Sequence, residues 1–163
     1  MAFLVGRWKG EGLVVDKNIR YKEELLCTLL KSESVVLINV QQFTKHSETG
    51  ASMHAENGFF KILPSVDVGT GERHVEAMLS HPFSLNEFEF GSCNESKMEI
   101  CASLPEHFQR GKTSKGQVTT GFRRVYFMND NGNLCYRMYL GINNQEMHLH
   151  LEAELSPQRL NYA

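Results

Sequence analysis

No long apolar run, no strong charge of either sign and no paired-cysteine motif is present in these 163 residues. A membrane-spanning helix needs about 20 consecutive apolar residues, and no run approaches that length, so no membrane partner is expected. The formal net charge is only −2, which gives no electrostatic footprint for nucleic acid. Two short basic clusters, Arg110-Lys112-Lys115 and Arg123-Arg124, read as solvated loop or strand charges. Cys27, Cys93, Cys101 and Cys135 are widely spaced without a CxxC, so zinc-site spacing is absent. The apolar start Met1–Val5 is cut off at Arg7, unlike a secretory signal. A cytoplasmic protein with reduced thiols is the expectation, Cys27 and Cys135 being buried structural thiols within strands. There is no Gly-rich phosphate loop, nucleophile elbow or zinc-protease motif, and no internal repeat or low-complexity tract.

What is present is alternation. Nearly every segment carries the two-residue period of a β-strand, bounded by turn residues. Strands are predicted over 6–15, 19–30, 35–44, 53–63, 73–80, 83–90, 98–103, 117–128, 133–140 and 146–155. The segment Glu23–Leu30 has helical propensity, but its surroundings favour strand. Trp8 stands among Gly6, Gly10 and Gly12, which predicts a tightly curved strand with one large plug residue. Asn129-Asp130-Asn131-Gly132 is the sharpest turn signal. Leu104–Gly116 is the longest irregular stretch and is expected to be a mouth loop or short helix.

About ten sequential strands with hairpin-length turns and no convincing long helix make an antiparallel meander. Closing it removes two aggregation-prone edges, and a barrel of this size encloses a ligand cavity. The expected fold is all-β: one ten-stranded antiparallel up-and-down β-barrel over 1–163, with the first strand paired to the last.

The last strand carries the clearest candidate chemistry. Met147, Leu149, Leu151, Ala153 and Leu155 alternate with His148, His150, Glu152 and Glu154. A neutral imidazole on a stiff strand in an apolar barrel is enough to hold haem iron. Against this stands a solvated pair of histidines, which spacing alone favours, because the apolar face is not the one with histidine. His54 and Glu56 share a face two residues apart, where the carboxylate can orient the ring; a hydrogen-bonded pair without chemistry is the blander account. A joint metal site of His54, His148 and His150 stays open. His46, His74, His81 and His107 lie in or near loops and are expected to be solvated.

Gly6-Arg7-Trp8-Lys9-Gly10-Glu11-Gly12 fits a GxWxGxG signature, Met53-His54-Ala55-Glu56-Asn57-Gly58-Phe59 an MHAE-(S/N)-GF strand, and His150-Leu151-Glu152-Ala153-Glu154-Leu155 a closing HLxAxL strand. With Tyr21-Lys22-Glu23-Glu24 as a YxEE element, the chain resembles the nitrobindin family over nearly its whole length. The resemblance implies a barrel of fatty-acid-binding-protein or lipocalin shape that binds haem b at its mouth. It implies His150 as the axial iron ligand and His54, with Met53, lining the cavity. Nitric oxide and peroxynitrite are the small molecules it implies, the latter isomerised to nitrate, in a monomer or homodimer. Family members carry a Tyr-Pro-Thr-Ile-like, haem-contacting loop after the glycine signature. Here Leu13–Arg20 is shorter and has neither that proline nor that threonine. Leu149 also replaces a proline seen in several members. A haem-free carrier or sensor barrel for a small hydrophobic ligand is the alternative.

Overall fold

Polar and apolar residues alternate along the second strand, β2 (Ile19–Ser32). Tyr21, Glu23, Leu25 and Cys27 are buried, whereas Lys22, Glu24 and Leu26 face solvent. That two-sided burial overrides the helical propensity of Glu23–Leu30, since tertiary context outweighs a weak local preference. The same alternation builds ten further strands in the computed structural model, which describes residues 2–114 and 117–158. They are β1 (Gly6–Val14), β3 (Val36–His46), β4 (Ser52–Val66), β5 (Arg73–His81), β6 (Leu85–Cys93), β7 (Lys97–Ala102), β8 (Phe108–Arg110), β9 (Thr119–Met128), β10 (Leu134–Ile142) and β11 (His148–Pro157).

Each strand pairs antiparallel with its neighbours, in the order β5-β4-β3-β2-β1-β11-β10-β9-β7-β6, and β5 pairs with β6 to close the ring. The result is a closed ten-stranded antiparallel barrel, as the meander predicts. The first and last strands meet, with Gly10 opposite Leu155 and Gly12 opposite Ala153. A Cβ on Gly10 would enter the backbone of Glu154, and one on Gly12 would enter the Tyr21 ring. The glycines therefore let the chain ends close and let Tyr21 lie beneath β1.

The eleventh strand, β8, comes from the stretch read as irregular. A 3-10 turn at Pro105–His107 leads into it, and it replaces β7 as partner of β6, with Leu85 opposite Arg110. Arg110 is not a loose solvated charge: it donates to Ser114 Oγ (3.0 Å), Thr119 Oγ1 (3.1 Å) and the Gln117 carbonyl (3.1 Å). Lys115 and Gly116, which end that stretch, lie outside the described residues. The Asn129–Gly132 turn forms as predicted, with Gly132 at φ 76° and the Asn129 side chain accepting from the Asn131 and Asn133 amides. All four cysteines are free thiols, and Cys27 and Cys135 are buried in strands. Among the described residues no helix is long and apolar enough to cross a membrane.

The interior is layered. At one end Trp8, Leu25, Ile38, Phe60, Ile62, Val75, Met98, Ile100, Leu134 and Leu155 form a continuous apolar core. The 3-10 turn Ala2–Leu4 brings Leu4 into this core, and Trp8 Nε1 donates to the Leu4 carbonyl (2.9 Å). Trp8 is thus the expected plug. Above the core lies a layer of buried polar and charged side chains, and above that the barrel opens.

Candidate functional site

The open end holds a cavity of about 320 Å³, within the usual range of small-molecule sites. Val14, Ile19, Met53, Phe83, Phe122, Met138, Leu140 and Leu151 supply its apolar wall, and His54, His81 and His150 face the same space.

His150 reaches the cavity through a break in the strand ladder. Along β10 and β11, Met138 pairs with Leu151 but Tyr139 pairs with Leu149, so His150 is the extra residue of a β-bulge. A bulge sets two consecutive residues opposite one partner and re-aims a side chain. His150 and Leu151, adjacent in sequence, both line the cavity. This removes the parity objection to a histidine on the polar face. His148 lies beyond the bulge and is exposed, so the two histidines are not equivalent, although their rings sit 6.4 Å apart edge to face.

The segment that departs from the family pattern supplies the second group of the site. Its 3-10 turn Val15–Lys17 ends at Asn18, in left-handed conformation at φ 51°. This presents Asp16 to β11, where Asp16 Oδ1 lies 3.0 Å from His150 Nδ1. The contact is close, though off the line of a good hydrogen bond. Burial lowers the His150 pKa and Asp16 opposes it, with a net fall, which favours the neutral ring. A neutral imidazole with a carboxylate on one nitrogen is the arrangement that orients metal-binding histidines and raises their basicity. Nε2 of His150 has no hydrogen-bond partner among the described residues. Donor chemistry and apolar wall together fit a flat hydrophobic macrocycle with an iron centre.

His54 stands on β4 in the opposite wall, its backbone N–H bonded to Thr44 Oγ1 (2.9 Å). Met53 beside it is partly exposed at the rim. His81, expected to be solvated, is instead 6 % exposed and packs between Phe83 (5.0 Å) and Phe122 (6.4 Å). The inward series Val75, Ala77, Leu79 on β5 extends to His81, and that extension is the signal for its burial.

Below these rings, Arg124 is 3 % exposed, which corrects its reading as a solvated charge. Its Nη1 bonds both oxygens of Glu56 (2.8 and 3.0 Å), its Nη2 meets Glu87, and its Nε lies 2.7 Å from Glu89 Oε1. Burial pushes the Glu56 carboxyl up, but the Arg124 guanidinium and the His54 contact outweigh it and hold the group well below the usual range. Burial raises Glu87 and Glu89, since one guanidinium cannot keep three enclosed carboxyls ionised. Burial lowers His81 to about 4. A second knot joins Glu23, which accepts from Tyr136 (2.6 Å) and Gln42 (2.7 Å), while Tyr21 and Tyr136 share a hydroxyl bond (2.9 Å). Burial raises Glu23 to about 7.

Comparison with known proteins gives the family. Residues 1–156 match the THAP4-like, heme-binding beta-barrel domain. Peroxynitrite isomerase of Frankia casuarinae is 25% identical over 95% of this chain and 82% of its own length. Peroxynitrite isomerase 2 of Mycobacterium marinum is 26% identical over 95% and 91%. The crystal structure of Rv2717c from M. tuberculosis superposes at a TM-score of 0.73 over 97% of this chain and 94% of that one, at 23% identity, and so shares the fold. The family read from the glycine signature and the closing strand is the one found, and the chain belongs to the THAP4-like, heme-binding beta-barrel domain family.

Proposed function

We propose that the chain binds haem b through His150 and uses it to isomerise peroxynitrite to nitrate, with nitric oxide as a further ligand. The observation that carries this reading is the bulge that turns His150, backed by Asp16, into an apolar cavity. The family supports haem, and the relatives named peroxynitrite isomerase support the reaction. When bound, haem supplies an iron able to take a small nitrogen oxide as ligand. The chain's own contribution is to hold and shield. His150 would offer Nε2, with the Asp16 carboxylate 3.0 Å from Nδ1 on the other side of the ring. Leu151, Met138, Leu140 and Phe122 exclude water, and Met53 and His54 bound the other wall. Lys17 at the rim is a cation for the carboxylates that haem b carries. The four free thiols support a cytoplasmic setting, in a monomer or homodimer.

Haem titration followed at the Soret band tests this. Wild type is expected to give a saturable shift that His150→Ala abolishes and Asp16→Asn weakens about tenfold. The haem-loaded protein is expected to hasten peroxynitrite decay with nitrate as product. An unchanged shift in His150→Ala, or tight binding of a fatty-acid-like probe with no Soret response to haem, would replace this reading by the haem-free carrier.

A further inference from the structure

On the wall across from His150, three donor atoms converge. His54 and Glu56 are two residues apart on one face of β4. Asn57 pairs with Ser80, which brings Glu56 beside His81 at the end of β5. His54 Nε2 lies 3.3 Å from His81 Nδ1 and 3.5 Å from Glu56 Oε2, and His81 Nδ1 lies 3.8 Å from Glu56 Oε2. The point equidistant from these atoms is about 2 Å from each, the zinc–nitrogen and zinc–oxygen bond length. Neighbouring ligands of a tetrahedral ion at that bond length are about 3.4 Å apart, which the three edges bracket.

We propose that His54, Glu56 and His81 form a binding site for a divalent ion of zinc's size and ligand preference, separate from the haem ligand His150. Two imidazoles and one carboxylate select a borderline first-row ion over magnesium or calcium, which demand oxygen. The groups behind the triad are those such a site needs. Glu87 Oε1 lies 3.0 Å from His81 Nε2, close although off the line of a good hydrogen bond, so a carboxylate stands on the side of the ring away from Nδ1. Arg124 Nη1 bonds Glu56 Oε1 at 2.8 Å and Oε2 at 3.0 Å, which fixes the carboxylate with Oε2 toward the histidines. The backbone of His54 is clamped by Thr44 in both directions, at 2.9 and 3.3 Å. His81 and Glu56 side chains are each 2% exposed, and that of His54 33%. Three protein ligands with the remaining side open to a cavity is the form of a site that keeps a place for water or substrate.

The test uses the full chain without haem, treated with chelator and desalted. Cobalt(II), whose visible bands are strong only when it is four-coordinate, is titrated in and then displaced with zinc(II). The expected result is one equivalent of cobalt with intense bands that zinc abolishes. Affinity is expected to fall at least tenfold in His54→Ala and to be unchanged in His150→Ala and His148→Ala. His54 is the ligand of choice because it lies on the cavity wall, so its replacement leaves the buried core intact; circular dichroism checks the fold. Absence of saturable binding, or binding undiminished in His54→Ala, would falsify the proposal. Loss in His150→Ala would also overturn it, assigning the ion to Asp16, His148 and His150, whose ligand atoms also cluster. The measurement needs no haem, so it stands or falls apart from the Soret titration.

Discussion

At the closed end of the barrel, Trp8 and Leu4 lie among aliphatic and aromatic side chains, and the Trp8 indole donates to the Leu4 backbone carbonyl. At the open end the same strands carry an arginine, four buried glutamates and three histidines beneath and around a cavity. Both ends follow one rule of alternation, so the difference lies in what each strand puts inward. The closed end draws its stability from apolar area removed from water. The polar layer gains little net free energy from burying its charges and is costly to leave half-made. It follows that the first end holds the fold together, and the second holds donor groups in fixed places.

Substitutions at each end break the comparison in graded steps. Trp8→Ala is expected to cost the most, about 3–5 kcal/mol, read from urea unfolding. Arg124→Met should approach that loss at pH 8, about 3–5 kcal/mol for carboxylates left unpaired in the interior. The loss should shrink at pH 5, where those carboxyls take up protons; an equal loss at both pH values would show that the guanidinium acts by packing alone. Glu23→Gln addresses the other knot. The folded-state pKa of Glu23 is raised from its ordinary 4.5 to about 7, so the native state holds the proton more tightly than the unfolded chain. That stabilisation is full below the unfolded pKa and is lost as pH rises through 7, over a span worth about 3 kcal/mol. The variant should flatten the fall in thermal midpoint between pH 5 and 8. Smallest of all, His150→Ala should change stability by about 1 kcal/mol or less while abolishing the Soret response. A large stability loss there would make His150 a structural residue of the rim.

How much of this was legible depended on the face each residue occupies. The strands, the closure of first on last and the plugging Trp8 all follow from alternation and glycine placement, which act locally. Which side of a strand is inner is a tertiary matter. Hydrophobicity assigns the apolar face inward, and that works at the closed end. In the polar layer Glu87 and Glu89 follow Leu85 at inward positions, and Arg124 lies between inward Phe122 and Tyr126. There the rule turns charged residues outward, which is why it predicts a solvated Arg124. The polar alternation predicts a strand that ends at Ser80, whereas β5 runs one residue further and turns His81 inward. His150 presented a different difficulty. Alternation put it on the wrong face, and only the resemblance singled it out, because the bulge that re-aims it lies in the pairing of β10 with β11 and leaves no mark in the sequence. The short segment after Gly12 was visible as a departure, but its use, to bring Asp16 to that histidine, required the turn at Asn18.

The bulge also changes how chain length should be read near the end of the molecule. Elsewhere in the barrel a residue gained or lost in a turn leaves the inner lining as it was. Between Leu149 and Leu151 the single unpaired position is what turns an imidazole inward, so a deletion there would restore a regular ladder and carry the imidazole away from the cavity. In an alignment of relatives, a one-residue gap at this point is a change of ligand set, even where the histidine itself is still present.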